Sequence, residues 1–234
     1  DKKLLALSNA ISSSGCAIVC LQETKKPFID LAFIKSCCPK RFDKFAFVPL
    51  RGASGGILTV WNSLVFSGVV TLTTDFSLGI RFTSTLSAQA WTLYNIYGPC
   101  AGPERDVYTR WLYDLDIQAQ EDCILLGDFN YIRGPENRNK PGGDISDMVT
   151  FNDIIRKLNL IELSIKGRAY TWSNMQIDPL LEQIDWFLTS LHWTNAYPKT
   201  LVRPLGKPVS DHIPCLVSID KKFRAASFSA SSHT

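Results

Sequence analysis

Cys123-Ile124-Leu125-Leu126-Gly127-Asp128-Phe129-Asn130 is the stretch on which the fold turns. A short apolar run bounded by glycine reads as a fully buried strand, and this one stops on a carboxylate. The pattern recurs. Cys16-Ala17-Ile18-Val19-Cys20-Leu21 runs into Gln22-Glu23-Thr24, and Ile184 is followed by Asp185 and then Trp186-Phe187-Leu188. Val209-Ser210-Asp211-His212 leads into Ile213-Pro214-Cys215-Leu216-Val217. A carboxylate buried in or at the lip of a sheet costs several kcal/mol unless it is paired or metal-bound. Four such places in one chain ask for a common cause, and a site where strand ends converge supplies it.

Outward from Cys123–Leu126, the chain alternates strands and helices. Apolar spacing predicts helices over Leu4–Ser13, Phe28–Cys37, Glu104–Gln118 and Ser146–Leu158. Short strands are predicted at Phe45–Val48, Gly56–Trp61, Val65–Leu72, Gly79–Thr83 and Trp91–Tyr97, and again at Tyr170–Trp172, Ile184–Leu188, Thr200–Arg203 and Ile213–Ile219. Many adjacent strands with few helices argue an α/β fold: a four-layer sandwich of two packed mixed sheets, with helices on the outer faces. One domain over residues 1–222 is expected. Residues 223–234, in the Ser/Ala-rich end, have too little apolar content to pack and are expected to be a disordered tail.

Composition sets outer limits. A chain of 234 residues suits one large domain or two small ones, and no apolar run approaches the roughly 18 to 20 residues that span a bilayer, so no membrane partner is expected. Asp1-Lys2-Lys3-Leu4 does not begin a secretory signal; without an initiator Met, the chain reads as a processed piece or a start inside a longer frame. The seven cysteines lack zinc-ligand spacing, which argues reduced thiols in an intracellular protein. A net charge of +3 permits a nucleic-acid partner without requiring one.

Singly, each polar element has an ordinary explanation. Gly127-Asp128-Phe129-Asn130 suits a turn, Asp185 a structural ion pair, and Asp211-His212 a strand cap. Their joint occurrence carries more. Leu21-Gln22-Glu23-Thr24, Asn95-Ile96-Tyr97-Gly98-Pro99, Leu126-Gly127-Asp128-Phe129-Asn130, Gln183-Ile184-Asp185-Trp186-Phe187-Leu188 and Ser210-Asp211-His212 together resemble the endonuclease/exonuclease/phosphatase superfamily. Within it, the likeness is to the apurinic-type endonuclease domain of plant LINE retrotransposons. Flanks at Arg51-Gly52-Ala53-Ser54-Gly55-Gly56, Glu136-Asn137-Arg138 and Tyr170-Thr171-Trp172-Ser173-Asn174 support it, and it spans about residues 4–220.

That resemblance implies roles. Glu23 is the expected Mg²⁺ ligand, with Mn²⁺ as a substitute and Asp211 as a second metal contact or an orienting group. Asp128 orients or deprotonates the attacking water, and Asn130 holds phosphate or water. His212 donates to a phosphate oxygen, with Asp185 fixing its tautomer and charge. Tyr97 meets the phosphate with support from Asn95, while Thr171 and Trp172 lie beside the nucleic acid. Arg51, Arg133 and Arg138 are candidates for phosphate contacts, against the default of solvated loop charges.

Two departures stand out. Relatives open with a strand ending in Asn, within Asn-x-Arg-Gly, that helps hold the metal; this chain starts beyond that point, so an open edge or gap is expected beside the metal position. Trp186 stands where relatives carry a basic or smaller polar residue. The leading expectation is a domain that nicks DNA and leaves a 3′ hydroxyl, in a nuclear protein that carries a reverse transcriptase domain in the same polyprotein. A phosphatase or phospholipid phosphodiesterase of the same superfamily is the second reading, and a catalytically impaired mobile-element fragment the third.

Overall fold

The structure is a computed structural model that describes residues 2–51, 54–118, 120–206 and 210–219. Helix α1 (Lys2–Ser14) leads into β1 (Ile18–Leu21), then α2 (Leu31–Cys37), whose N-terminus is capped by Asp30 accepting from the Phe33 amide at 2.8 Å. The hairpin of β2 (Lys44–Arg51) and β3 (Ser54–Trp61) pairs with β1 in a three-stranded antiparallel sheet of order β1-β3-β2. Strands β4 (Phe66–Thr73), β5 (Ser77–Ser84) and β6 (Ala90–Tyr97) form a meander, and α3 (Glu104–Tyr113) crosses to β7 (Cys123–Asp128). After a short 3₁₀ turn at Pro135–Asn137 come α4 (Ile145–Lys157), β8 (Leu160–Glu162), the small hairpin β9 (Trp172–Ser173) and β10 (Leu181–Glu182), and β11 (Asp185–Ser190). Helix α5 (Leu191–Ala196), β12 (Leu201–Pro204) and β13 (Cys215–Ser218) complete the described elements.

Alternation along the strands builds the layers. The second sheet has the order β4-β5-β6-β7-β11-β8, with only the β6/β7 pair parallel. Tyr94, Ile96 and Leu125 send side chains to one face, where α3 and α4 cover them with Tyr108, Leu112, Phe151 and Ile154. Trp91, Leu93 and Ile124 face the other way, into a core shared with Val48, Ile57 and Trp61 of the smaller sheet. Leu58 and Val60 point outward from that smaller sheet onto α1 and α2, meeting Ile11, Ile34 and Cys37. Helices, sheet, sheet, helices: the four-layer α/β sandwich expected from the sequence is the architecture observed.

The differences are local. The helix expected to reach Gln118 stops at Tyr113, yet Leu115 and Ile117 still pack on the core, so an extended segment meets the same apolar spacing. The short elements β8, β10 and α5 were not anticipated, being too brief to show a period. Strand β1 pairs with β3 alone, and β13 with β12 alone, among the described residues. All seven cysteines are free thiols. The expected tail, residues 223–234, lies outside the described residues. Among the latter no helix is long and apolar enough to cross a membrane.

Candidate active site

Strand register assembles the site. Tyr97 pairs with Asp128 across the parallel β6/β7 ladder, and Asp185 pairs with Asp128 across the antiparallel β7/β11 ladder, so the three lie in one row at the end of the large sheet. The preceding row is Ile96, Gly127 and Trp186. Gly127 has φ +132°, and a Cβ there would sit 2.1 Å from the Ile96 carbonyl oxygen, so only glycine lets β7 lie this close to β6.

Asp128 is 5 % exposed. Its Oδ1 accepts from the Asn130 backbone amide and its Oδ2 from Asn130 Nδ2, each at 3.0 Å. Asn130 sits at φ +52°, and its side-chain amide also donates to the Gly98 carbonyl at 2.7 Å. His212 enters from a bridge with Trp172, placing Nδ1 2.9 Å from Asp185 Oδ2 and Nε2 3.8 Å from Asp128 Oδ2. The imidazole thus stands between two carboxylates.

Electrostatics follow from this packing. Burial pushes the Asp128 carboxyl up to about 7, the Asp185 charge adds to that, and His212 with the Asn130 amide opposes it. Burial discourages charge on His212, but the hydrogen bond and charge of Asp185, with Asp128 and Asp211, raise it to about 9. Tyr97 is held well above its ordinary value by burial first, then by the Glu23 and Asp128 charges. A base near neutrality beside a charged imidazole is a pairing suited to acid–base chemistry at physiological pH.

Glu23 follows β1 in a left-handed turn with φ +50°, and the Thr24 and Lys25 amides bond to the Gly56 and Gly55 carbonyls, each at 3.1 Å. The β2/β3 hairpin therefore fixes where this carboxylate points. Glu23 Oε1 lies 3.1 Å from Lys25 Nζ. Across a cleft of about 520 Å³, lined among others by Glu23, Lys25, Trp172, Met175, Ser210 and Asp211, stands the Asp211 carboxylate. Trp172 Nε1 donates to Asp211 Oδ2 at 3.2 Å; burial pushes the carboxyl up, but this bond and the His212 charge hold it below the carboxylate range. Asp128 and His212 lie off the cleft lining.

The structure brings together Glu23, Tyr97, Asp128, Asn130, Asp185, Asp211, His212 and Trp172, and it corrects the assignments of Asn95, Thr171, Arg133 and Arg138. Asn95 is 0 % exposed, held by Gln22 at 2.5 Å and bonded to Leu58 O and Thr59 Oγ1, both at 3.1 Å; it ties the two sheets beneath the site and does not reach substrate. Thr171 is 1 % exposed, and its hydroxyl accepts from the amides of Ile184 at 3.2 Å and Asp185 at 3.1 Å, so it anchors the start of β11 rather than touching nucleic acid. Arg133 is spent on Glu162, on Asn152 and on the Trp186 ring, and Arg138 pairs with Glu182, so neither is a free phosphate contact or a solvated charge. The Arg51 side chain lies outside the described residues. Trp186 is buried with its indole N–H on the Tyr131 carbonyl at 2.7 Å, which leaves the Asp185 carboxylate undisturbed. Lys25 and Arg105, both close to the site, lie outside the motifs that mark it in the sequence. Lys25 directly follows the Glu23-Thr24 motif, while nothing in the sequence marks Arg105.

A transposon protein from Xenopus laevis, described as the Transposon TX1 uncharacterized 149 kDa protein, is 27 % identical over 133 residues, which cover 54 % of this chain and 10 % of that protein. The chain thus spans about a tenth of that relative's length. Among solved structures, the endonuclease domain of TRAS1, a telomere-specific non-LTR retrotransposon, superposes with a TM-score of 0.70 at 14 % identity, covering 95 % of this chain and 94 % of that one. The AP endonuclease LMAP from Leishmania major gives 0.67 at 17 % identity, covering 92 % and 83 %. A family model matches residues 1–212, and the chain belongs to the Endonuclease/Exonuclease/phosphatase family.

Proposed function

We propose that the chain is a metal-dependent DNA endonuclease domain that nicks one strand and leaves a 3′ hydroxyl, as part of a LINE-type retrotransposon polyprotein carrying a reverse transcriptase and acting in the nucleus. The observation that carries the reading is the line Asp185–His212–Asp128 at the sheet end, beside the cleft that Glu23 and Asp211 line. Similarity to a transposon protein and to a retrotransposon endonuclease fold supports the choice of DNA over a phosphomonoester or phospholipid.

The donor set fits a hard cation. Glu23 and Asp211 offer oxygen only, and Asp211 is kept ionised. Among the described residues no group of three or more His, Cys, Asp or Glu side chains is close enough to hold an ion. Two carboxylates therefore suit Mg²⁺ or Mn²⁺ that retains most of its water. Such an ion, when bound, supplies charge neutralisation at the phosphate and the departing oxygen. Lys25 pairs with Glu23 in a largely exposed geometry, so it yields the carboxylate at little cost.

The remaining chemistry belongs to side chains. Asp128, ionised over part of the neutral range, takes a proton from the attacking water, while Asn130 fixes both carboxylate oxygens. His212 is charged at neutral pH; with Nδ1 held by Asp185, its Nε2–H, 3.8 Å from Asp128 Oδ2, is left to donate to a phosphate oxygen. Tyr97 keeps its proton and donates it as a hydrogen bond. Supercoiled-plasmid nicking with Mg²⁺, with chelator, and by Asp128→Ala and His212→Ala tests the reading, with polymerase extension reporting the 3′ hydroxyl. Undiminished cutting by either variant, or phosphate release from a soluble phosphomonoester in place of nicking, overturns it.

A further inference from the structure

We propose that Arg105, in the first turn of α3, is a positioning residue for the phosphodiester reaction: its guanidinium locks the loop after Tyr97 to the turn that carries Asp128 and Asn130. The inference rests on the reading above and deepens it. Nη1 donates to the Pro99 carbonyl at 2.9 Å and the Cys100 carbonyl at 3.3 Å, and Nη2 donates to the Asn130 carbonyl at 3.1 Å. Nε and Nη2 grip Asp147 Oδ2 of α4 at 3.1 and 2.7 Å, and the guanidinium carbon stands 4.0 Å from the centre of the Tyr131 ring. Every N–H of the group is in use, and three chain segments meet on it.

Two of those segments are the ones that Asn130 itself joins, since its side-chain amide bonds to the Gly98 carbonyl and to Asp128 Oδ2. Asn130 also adopts φ +52°, a left-handed conformation that asparagine visits more readily than other non-glycine residues. Arg105 on the Asn130 carbonyl fixes which way the peptide of that turn faces. With its side chain 17 % exposed and doubly bonded to Asp147, the guanidinium is neutralised within the fold and is not a phosphate ligand. Its influence runs through the placement of Asn130 and, with it, Asp128. A lysine has the charge but not the planar fork, so it cannot bridge three carbonyls and a carboxylate at once.

Arg105→Lys, Arg105→Ala and Asp147→Asn test this by steady-state plasmid nicking, thermal melting and side-chain amide NMR. Displacement of the base is expected to lower kcat of Arg105→Lys by about 10- to 100-fold with KM within a factor of about two, while the fold persists. Free guanidinium is expected to restore part of the turnover of Arg105→Ala. Asp147→Asn, which keeps the carbonyl contacts but loosens the anchor, falls in between. In ¹⁵N-labelled Arg105→Lys, the Asn130 side-chain amide should shift and exchange faster, while that of Asn152, bonded to the Arg133 and Met148 carbonyls, serves as the unmoved control. That readout stands even if the wild-type domain cuts nothing, so it separates this inference from the nuclease reading. An unmoved Asn130 amide, or a variant whose loss appears in KM rather than kcat, overturns the positioning role.

Discussion

Replacing Asp128 by asparagine keeps the shape of the side chain and removes a charge that the fold resists. Burial and the Asp185 charge raise this carboxyl from 3.8 to about 7. Each pH unit over which the unfolded chain carries the charge and the folded one does not is worth about 1.4 kcal/mol, so the interval amounts to roughly 4 kcal/mol of lost stability at neutral pH. Asparagine at this position escapes that loss but introduces another. Its Nδ2 would face the Asn130 Nδ2, now 3.0 Å from Asp128 Oδ2, which turns a hydrogen bond into a donor–donor contact worth about 1 kcal/mol. The attraction between Asp128 and His212 is already contained in the value of about 7. The metal-free variant should therefore be more stable than the wild type by about 3 kcal/mol near pH 7, a rise of about 8 °C in Tm for a domain of this size.

The pH dependence identifies the cause. The folded carboxyl ionises later than the unfolded one, so its favourable contribution is complete below about 4 and is lost as pH climbs through about 7. The gap between Asp128→Asn and wild type should be small at low pH and widen over that window, in thermal or urea melts with chelator present. Nicking should be abolished at every pH. Equal gaps at about pH 5 and about pH 7, or a variant less stable than wild type at neutrality, would falsify the claim that burial opposes the ionisation of Asp128.

Asp185→Asn leaves an acceptor for His212 Nδ1 but removes the charge that raises it, so the alkaline limb of the pH–rate profile should fall from about 9 by roughly one unit; the stability that His212 contributes below 6.5 and loses through about 9 should shrink in parallel. An unmoved limb would assign it to another group. Thr171→Val leaves the Ile184 and Asp185 amides without their acceptor and should destabilise the domain by about 3 kcal/mol in denaturant melts, whereas Thr171→Ser should come close to wild type. Equal melts for both variants would show that the hydroxyl carries no load. Gly56→Ala forces a Cβ to 2.4 Å from Thr24 Oγ1 at φ +92°; it should weaken Mg²⁺ binding by isothermal titration more than Gly15→Ala, which meets nothing within 4 Å. Equal affinities would dissociate the β2/β3 hairpin from the placement of Glu23.

Much of this was visible in the residue order because the chain puts its reactive groups where apolar strands end. Glu23, Asp128 and Asp185 each interrupt or terminate an apolar run, and the period-2 alternation that buries Leu125 on one face and Ile124 on the other also fixes the layers. What failed to show was direction. Asn95 and Thr171 lie among site motifs yet point inward, and no pattern of two or three residues tells which way a side chain turns when β9 is itself only Trp172–Ser173. Arg105 was hidden for another reason. On the first turn of an amphipathic helix it reads as a solvated charge, and its value depends on three carbonyls that no local pattern encodes.

The chemistry then hangs on register rather than on any single side chain. A slip of one residue between β6 and β7, or between β7 and β11, would turn Asp128 away from Tyr97 or Asp185 and break the row. Two features oppose such a slip. Gly127 permits an approach to Ile96 that a residue with a Cβ cannot make, so no neighbouring position of β7 can take its place. Trp186, its partner on β11, is locked through its indole N–H to the Tyr131 carbonyl and by the Arg133 guanidinium over its ring, and Tyr131 in turn lies against Arg105. Trp186 is thus bonded into the same scaffold that holds Asn130. Trp186→Arg should therefore lose activity unless Tyr131 and Arg133 change with it. A fully active single variant in the plasmid assay would show that the register is held without them.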